Sequence, residues 1–298
     1  MEPLFPPPPR PYSPYAPLRR RRNRQVPVPG RFGRGSGDAR SMQHAEIEAE
    51  IERIARQLAR VVQTVPWGRV QNDAWDSHCQ FIFRLRTVDA VRARAREVAD
   101  EQQLDGGAFV PYALRRWYCF WGARVAELLF LRHPGVVAGP PKDHEVDFTV
   151  DGVPFDLKTS EVPRQFVARL DEWLDDAAVA AAWFYTHQSR ERRFHTANRL
   201  FLVLCDRDYP DEAWRLRADV SALRASVDAF MEKPRFIDLE FATPDGQRHQ
   251  VTTGVIPVTP AAQPRQLRLD LGASPSPRRR VPDDDSQASG QLALPWNG

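Results

Sequence analysis

Three observations predict a mixed α/β fold for this 298-residue chain, a mixed β-sheet flanked by helices. Up to about residue 133 the apolar residues recur at helical spacing; beyond it the period shortens to two; and the strand-like runs alternate with further helical stretches. The helical part opens over 41–63, where Ile47, Ile51, Ile54, Leu58 and Val61 alternate spacings of four and three and so line one apolar face. Glu46, Glu48, Glu50 and Glu52 come first and Arg53, Arg56 and Arg60 follow, the order that the helix dipole favours. A second helix is predicted from a Thr87 cap to about 103, and a third over 111–133, whose aromatic residues place it at the centre of the core. Then come a short strand near Val136, a hairpin over 145–159 and a helix over 163–185. A strand over 199–205, a helix over 211–231 and a hairpin turning at Asp245 and Gly246 complete the order.

The two ends read differently. Residues 1–40 hold ten of the 27 prolines and nine arginines against two acids, too little apolar surface to offset the entropy of ordering. We read them as a disordered arm of charge +7, suited to nucleic-acid phosphates through counterion release and equally to service as a solubilising tail. Met42, just ahead of the first apolar stripe, is a candidate alternative start. Residues 263–298, rich in Pro, Ser and charge, read as a second disordered tail. One domain is expected over 41–262, with N-terminal helices over 41–110 and a core over 111–262. The whole chain carries +3, which leaves this domain at −5. Any affinity of the body for DNA must therefore come from arginines placed together.

No apolar run reaches the ~20 residues of a membrane span, so a cytoplasmic, nucleoid-associated protein with no membrane partner is expected. Cys79, Cys119 and Cys205 stand apart in apolar surroundings and read as buried, reduced thiols. No phosphate-binding glycine loop, GxSxG or HExxH is present.

The candidate chemistry lies in the segment HEVDFTVDGVPFDLKTS. Asp151 and Gly152 suit a two-residue hairpin turn, and that turn sets a register in which paired numbers sum to 303. It pairs Phe148 with Phe155, Asp147 with Asp156, Val146 with Leu157 and Glu145 with Lys158, and puts Asp147, Asp156 and Lys158 on one face. Two carboxylates directly across a strand pair destabilise it unless something neutralises them. Mg²⁺ or Mn²⁺ bridging Asp147 and Asp156 would do so, and removing Asp156 is then expected to leave stability in EDTA unchanged or higher. The plain alternative is a solvent-facing hairpin with an ordinary polar side. Against it stands the rarity of lysine: Lys142, Lys158 and Lys233 are the only three beside 39 arginines. A lysine here points to a need for an ammonium that can release its proton.

A helix bearing glutamate, a hairpin bearing Asp and then Asp-x-Lys, and a following helix and strand resemble the PD-(D/E)XK, or restriction-endonuclease-like, nuclease superfamily over about 117–205. The resemblance implies an αβββαβ core, Mg²⁺-dependent phosphodiester hydrolysis, Asp147 and Asp156 as metal ligands, Glu127 as a further ligand and Lys158 as the catalytic lysine. Val146 stands where that motif often has proline. Gln165 matches a polar helper of such nucleases in position. Gln188, Ser189, Arg190, Arg192, Arg193 and Asn198 form a loop suited to gripping DNA phosphates, or a solvated connector.

Near the C-terminus QLRLDL (266–271) and QLALPW (291–296) share one pattern and resemble the peptide by which bacterial replication and repair proteins bind the β sliding clamp. Gln291, Leu292, Leu294 and Trp296 are the implied anchors. The expected function is a metal-dependent DNA nuclease, endo- or exonucleolytic, recruited to the clamp in repair or defence. The alternatives are a non-catalytic DNA-binding or clamp-associated adaptor with the same fold, and a phosphodiesterase acting on RNA or a nucleotide.

Overall fold

A computed structural model describes residues 37–65, 73–140, 146–187, 197–242 and 248–260. Four helices come first: α1 (Gly37–Thr64), α2 (Asp73–His78), α3 (Val88–Glu101) and α4 (Gly106–Leu131). Strands β1 (Val136–Ala138), β2 (Phe148–Val150) and β3 (Val153–Glu161) follow, then α5 (Leu170–Asp175), α6 (Ala177–His187) and β4 (Arg199–Leu204). Helix α7 (Val220–Glu232) and strands β5 (Ile237–Ala242) and β6 (Arg248–Val258) complete the described chain, with 3₁₀ turns at Gln80–Phe83, Arg164–Arg169 and Pro210–Ala218. Of the expected disordered arm over 1–40, residues 37–40 instead form the first turn of α1, while 1–36, the tail with both Q-L-x-L segments and the turn at Asp245 lie outside the described residues.

The six strands form one mixed sheet in the order β1-β2-β3-β4-β6-β5. β1, β2 and β3 are antiparallel neighbours; β3, β4 and β6 run parallel; β5 returns antiparallel to β6. Helices cover both faces. Phe148, Val150, Phe155, Leu157, Leu200 and Leu202 join a core with α1, α3, α4 and α7, while Phe201, Val203 and Cys205 join a second core with α5 and α6. All six residues of β4 are therefore buried, and its run RLFLVL lacks the alternation of a half-exposed strand. Phe130 of α4 stacks on Phe148 at 4.8 Å and Phe184 of α6 on Phe201 at 4.9 Å, one aromatic pair clamping each face.

Two long helices expected from periodicity are each broken at an aspartate. The expected helix over 163–185 is a 3₁₀ turn, α5 and α6, and that over 211–231 is a 3₁₀ turn and α7. Asp176 accepts a hydrogen bond from the Val179 amide at 3.3 Å, and Asp219 from the Ala222 amide at 3.0 Å. Each carboxylate starts a new helix by satisfying an amide left open at its first turn. The third expected helix instead begins at Gly106, capped by Asp105 to the Gly107 amide at 2.9 Å, so Pro111 lies inside α4. Helix α2 and the turn at Gln80–Phe83 were not anticipated.

All three cysteines are free and buried, and burial pushes the thiols of Cys79 and Cys205 up to about 12, far from thiolate chemistry. Among the described residues no helix is long and apolar enough to cross a membrane.

Candidate functional site

The Asp151–Gly152 turn has positive φ at both positions, 48° and 83°, as the two-residue hairpin requires. It sets the predicted register for Val150 with Val153, Thr149 with Pro154 and Phe148 with Phe155. There the regular pairing stops. The Asp147 amide donates to the Phe155 carbonyl at 2.9 Å, so Asp147 steps out of the ladder as a bulge instead of facing Asp156, and the expected pairing of Val146 with Leu157 is not made. Glu145 lies outside the described residues.

This bulge positions the site. β2 ends while β3 continues, so the Leu157 amide on that edge has no strand partner; the Asp147 carboxylate accepts it at 2.6 Å. The Asp147 carbonyl in turn accepts the Gly139 amide at 2.8 Å. Gly139 allows that approach, because a Cβ there would lie 2.1 Å from the Val146 carbonyl oxygen and force the strand, with Asp147, away. Asp147 is thus fixed through its amide, its carbonyl and its side chain.

Asp156, Lys158 and Arg199 meet on the α6 side of the sheet. Asp156 is 5% exposed. Its Oδ1 contacts Lys158 Nζ at 2.7 Å, and its Oδ2 accepts from Arg199 Nε at 3.0 Å, since Arg199 is the Cα partner of Asp156 in the parallel β3–β4 ladder. The Arg199 guanidinium also lies 5.8 Å from the Tyr185 ring centroid, and the Arg199 carbonyl accepts from Thr253 Oγ1 at 2.7 Å. A cation was expected to neutralise the two acids; for Asp156 that role is filled by Lys158 and Arg199. Arg199 was not singled out as a site residue, although a charged residue opening an otherwise apolar strand was the available signal.

Among the described residues Asp147 makes no such ion pair, and Lys158 acts on it only through its charge. Burial pushes its carboxyl up to about 7, helped by the negative charges of Glu127 and Asp156; the Leu157 hydrogen bond and the charge of Lys158 oppose the shift. Glu127, on α4, is likewise raised by burial, against the pull of Arg124, whose Nη1 donates to Glu127 Oε2 at 2.7 Å. Lys158 and Asp156 both act on Glu127 electrostatically, which ties α4 to the hairpin. The fold thus brings Asp147, Asp156, Glu127 and Lys158 within electrostatic reach of one another.

The other predicted positions divide. Gln165 is exposed on the 3₁₀ turn past the carboxyl end of β3, whereas Asp156 lies near the amino end. Asn198 is committed to the sheet: its Nδ2 donates to the Pro154 carbonyl at 3.1 Å and its Oδ1 accepts the Thr252 amide at 2.8 Å, tying β3 to β6 across β4. It is a brace here, with its amide spent on the backbone. Gln188, Ser189, Arg190, Arg192 and Arg193 lie outside the described residues, as do Gln291, Leu292, Leu294 and Trp296.

Carboxylates of Asp147, Glu127 and Asp156 are the hard oxygen donors that Mg²⁺ or Mn²⁺ takes, and the burial and neighbouring negative charges that raise Asp147 are what a cation would offset. As placed, no three His, Cys, Asp or Glu residues among the described residues form a group able to hold a metal ion. The donor set fits a cation in chemistry, with Lys158 having to leave Asp156 Oδ1. In comparison with known proteins, no family model, no curated protein and no solved structure matches the chain.

Proposed function

We propose that the chain is a Mg²⁺-dependent DNA nuclease of the PD-(D/E)XK type, its restriction-endonuclease-like core formed by α4, β1, β2, β3, α6 and β4. With the 3₁₀ turn and short α5 between β3 and α6 set aside, that order agrees with the αβββαβ order the resemblance implies, which supports the reading. The observation that carries the reading is the half-buried carboxylate of Asp147, held at the point where β2 and β3 part, with Glu127, Asp156 and a lysine acting on it.

When bound, a divalent cation supplies Lewis acidity toward a phosphate oxygen and water. The chain's own residues do the rest. Asp147 and Glu127 would hold the cation through carboxylate oxygens; Arg199 holds Asp156 by Oδ2, so Oδ1 would be the oxygen free for ligation once Lys158 leaves it. Lys158, once released from Oδ1, can donate a proton to a phosphate oxygen or take one from the attacking water. The QLALPW segment adds recruitment to a bacterial β sliding clamp, by the resemblance of its sequence.

Incubating purified full-length protein with plasmid, linear and single-stranded DNA, in Mg²⁺ and in EDTA, tests the reading. Cleavage that requires Mg²⁺ and is largely lost in Lys158→Arg is expected, because guanidinium keeps the charge but cannot give up its proton. Cleavage unaffected by EDTA, or full activity in Lys158→Arg, defeats it. One observation favours the adaptor reading: Asp156 is already neutralised by Lys158 and Arg199. No cleavage of any nucleic acid in Mg²⁺ or Mn²⁺, with DNA binding retained, would establish that alternative.

A further inference from the structure

Arginines gathered beside Glu127 form a seam between α1, α4 and the start of α3. Arg124, one turn before Glu127, holds it through Nη1 at 2.7 Å, and its charge also reaches Glu50 of α1. Both oxygens of Glu50 bind Arg53, at 2.7 and 2.8 Å, and Oε1 meets Arg86 Nη1 at 3.3 Å. Arg53 and Arg86 each place the guanidinium carbon 5.9 Å from the ring centroid of Trp121, a buried residue of α4. Farther along, Arg60 bonds Asp89 at 2.8 Å and Arg92 lies 3.9 Å from the same carboxylate.

Five guanidinium groups thus share three carboxylates, Glu50, Asp89 and Glu127, in a body whose net charge is −5 over 41–262. The side chains of Arg86 and Arg124 are 61% and 44% exposed, and each commits Nη1 to its carboxylate, so the planar fork is oriented without being used up. Arg53 and Arg60 are about 10 Å apart along α1 at ~1.5 Å per residue, roughly three base-pair steps at 3.4 Å.

We propose that this seam grips the phosphate backbone of DNA on its way to the site. The inference rests on the nuclease reading for where the backbone leads, since the seam begins at Glu127. Exposed guanidinium groups held in place beside a half-buried carboxylate suit a polyanion that must be oriented and then cut, more than a diffuse anionic surface.

Fluorescence anisotropy of the full chain with a labelled mixed-sequence duplex, in EDTA over a salt series, tests it without needing cleavage. Arg86→Ala with Arg124→Ala should weaken binding about tenfold at low salt and lower the slope of log K against log salt by about 2. Because these side chains are exposed, the thermal midpoint should hold, and the Arg86→Lys, Arg124→Lys pair should keep the parent's salt slope but bind more weakly than the parent and more tightly than the alanine pair, since lysine keeps the charge and loses the oriented fork. Unchanged affinity and slope in the alanine pair would overturn the proposal, and so would arginine-dependent binding to phosphatidylserine vesicles with none to DNA. Cleavage with unchanged binding in the alanine pair sinks the seam and leaves the nuclease reading; the expected loss of binding without Mg²⁺-dependent cleavage sinks the nuclease reading and leaves the seam.

Discussion

Asp147→Asn should stabilise the folded protein above neutral pH. In the folded chain the Asp147 carboxyl is pushed up to about 7 from an ordinary value of 3.8, chiefly by burial. Between these two values the folded state keeps a proton that the unfolded chain has released, so stability falls as pH rises from about 4 to about 7 and is level above that. Three units at about 1.4 kcal/mol each set an upper bound of ~4 kcal/mol on the loss. Relaxation of Glu127 and Lys158 around the new charge reduces it, and we expect about 2 kcal/mol, or roughly 4–8 °C in thermal midpoint for a domain of this size. Asparagine keeps a carbonyl oxygen for the Leu157 amide, so the substitution removes the charge and preserves the contact. Urea unfolding in EDTA across this pH range, on parent and variant, reads the difference directly and cancels titrations common to both. The two should agree near pH 4 and separate up to pH 7, and millimolar Mg²⁺ should narrow the gap at pH 8 by stabilising only the parent. A gap independent of pH, or a variant less stable than the parent at pH 8, would refute a charged, uncompensated Asp147.

Asp156→Asn should behave in the opposite way to its neighbour. The removal of one of two repelling acids was expected to cost nothing in EDTA, but Asp156 pairs with Arg199, whose side chain is 4% exposed, and leaving that guanidinium without its counter-ion should cost about 3 kcal/mol. Denaturant midpoints in EDTA check this, and a variant as stable as the parent would show that the Arg199 pair contributes nothing. In the tail, a peptide of residues 286–298 should bind purified bacterial β clamp in the micromolar range, about −7 to −8 kcal/mol, by isothermal titration. Gln291→Ala with Leu294→Ala should abolish that binding, and no heat from the parent peptide would end the clamp reading.

The sequence by itself determined what local chemistry determines. The Asp151–Gly152 turn fixes the hairpin register by backbone geometry, Thr87 caps α3, and the apolar stripe from Ile51 to Val61 buries one side of α1, because in each case the cause lies within a few residues of the effect. Strand alternation put Asp147, Asp156 and Lys158 on one hairpin, whereas Glu127 came only from the resemblance to the nuclease superfamily. What only the tertiary structure decided arises where strands end and other elements arrive. Periodicity cannot foresee that β2 stops at Phe148, so that Asp147 turns in to cap Leu157 and leaves the facing position. It carries no information on which residue of β4 lies beside Asp156, and hence none on Arg199 as its counter-ion or on Asn198 as a brace between strands. The helix breaks at Asp176 and Asp219 were hidden for a related reason: an aspartate within a helical stripe becomes a cap only when packing against the sheet turns the chain there. The arginine seam, too, joins residues distant in sequence: only tertiary packing brings Arg53 and Arg86 to Trp121 and the charge of Arg124 within reach of Glu50.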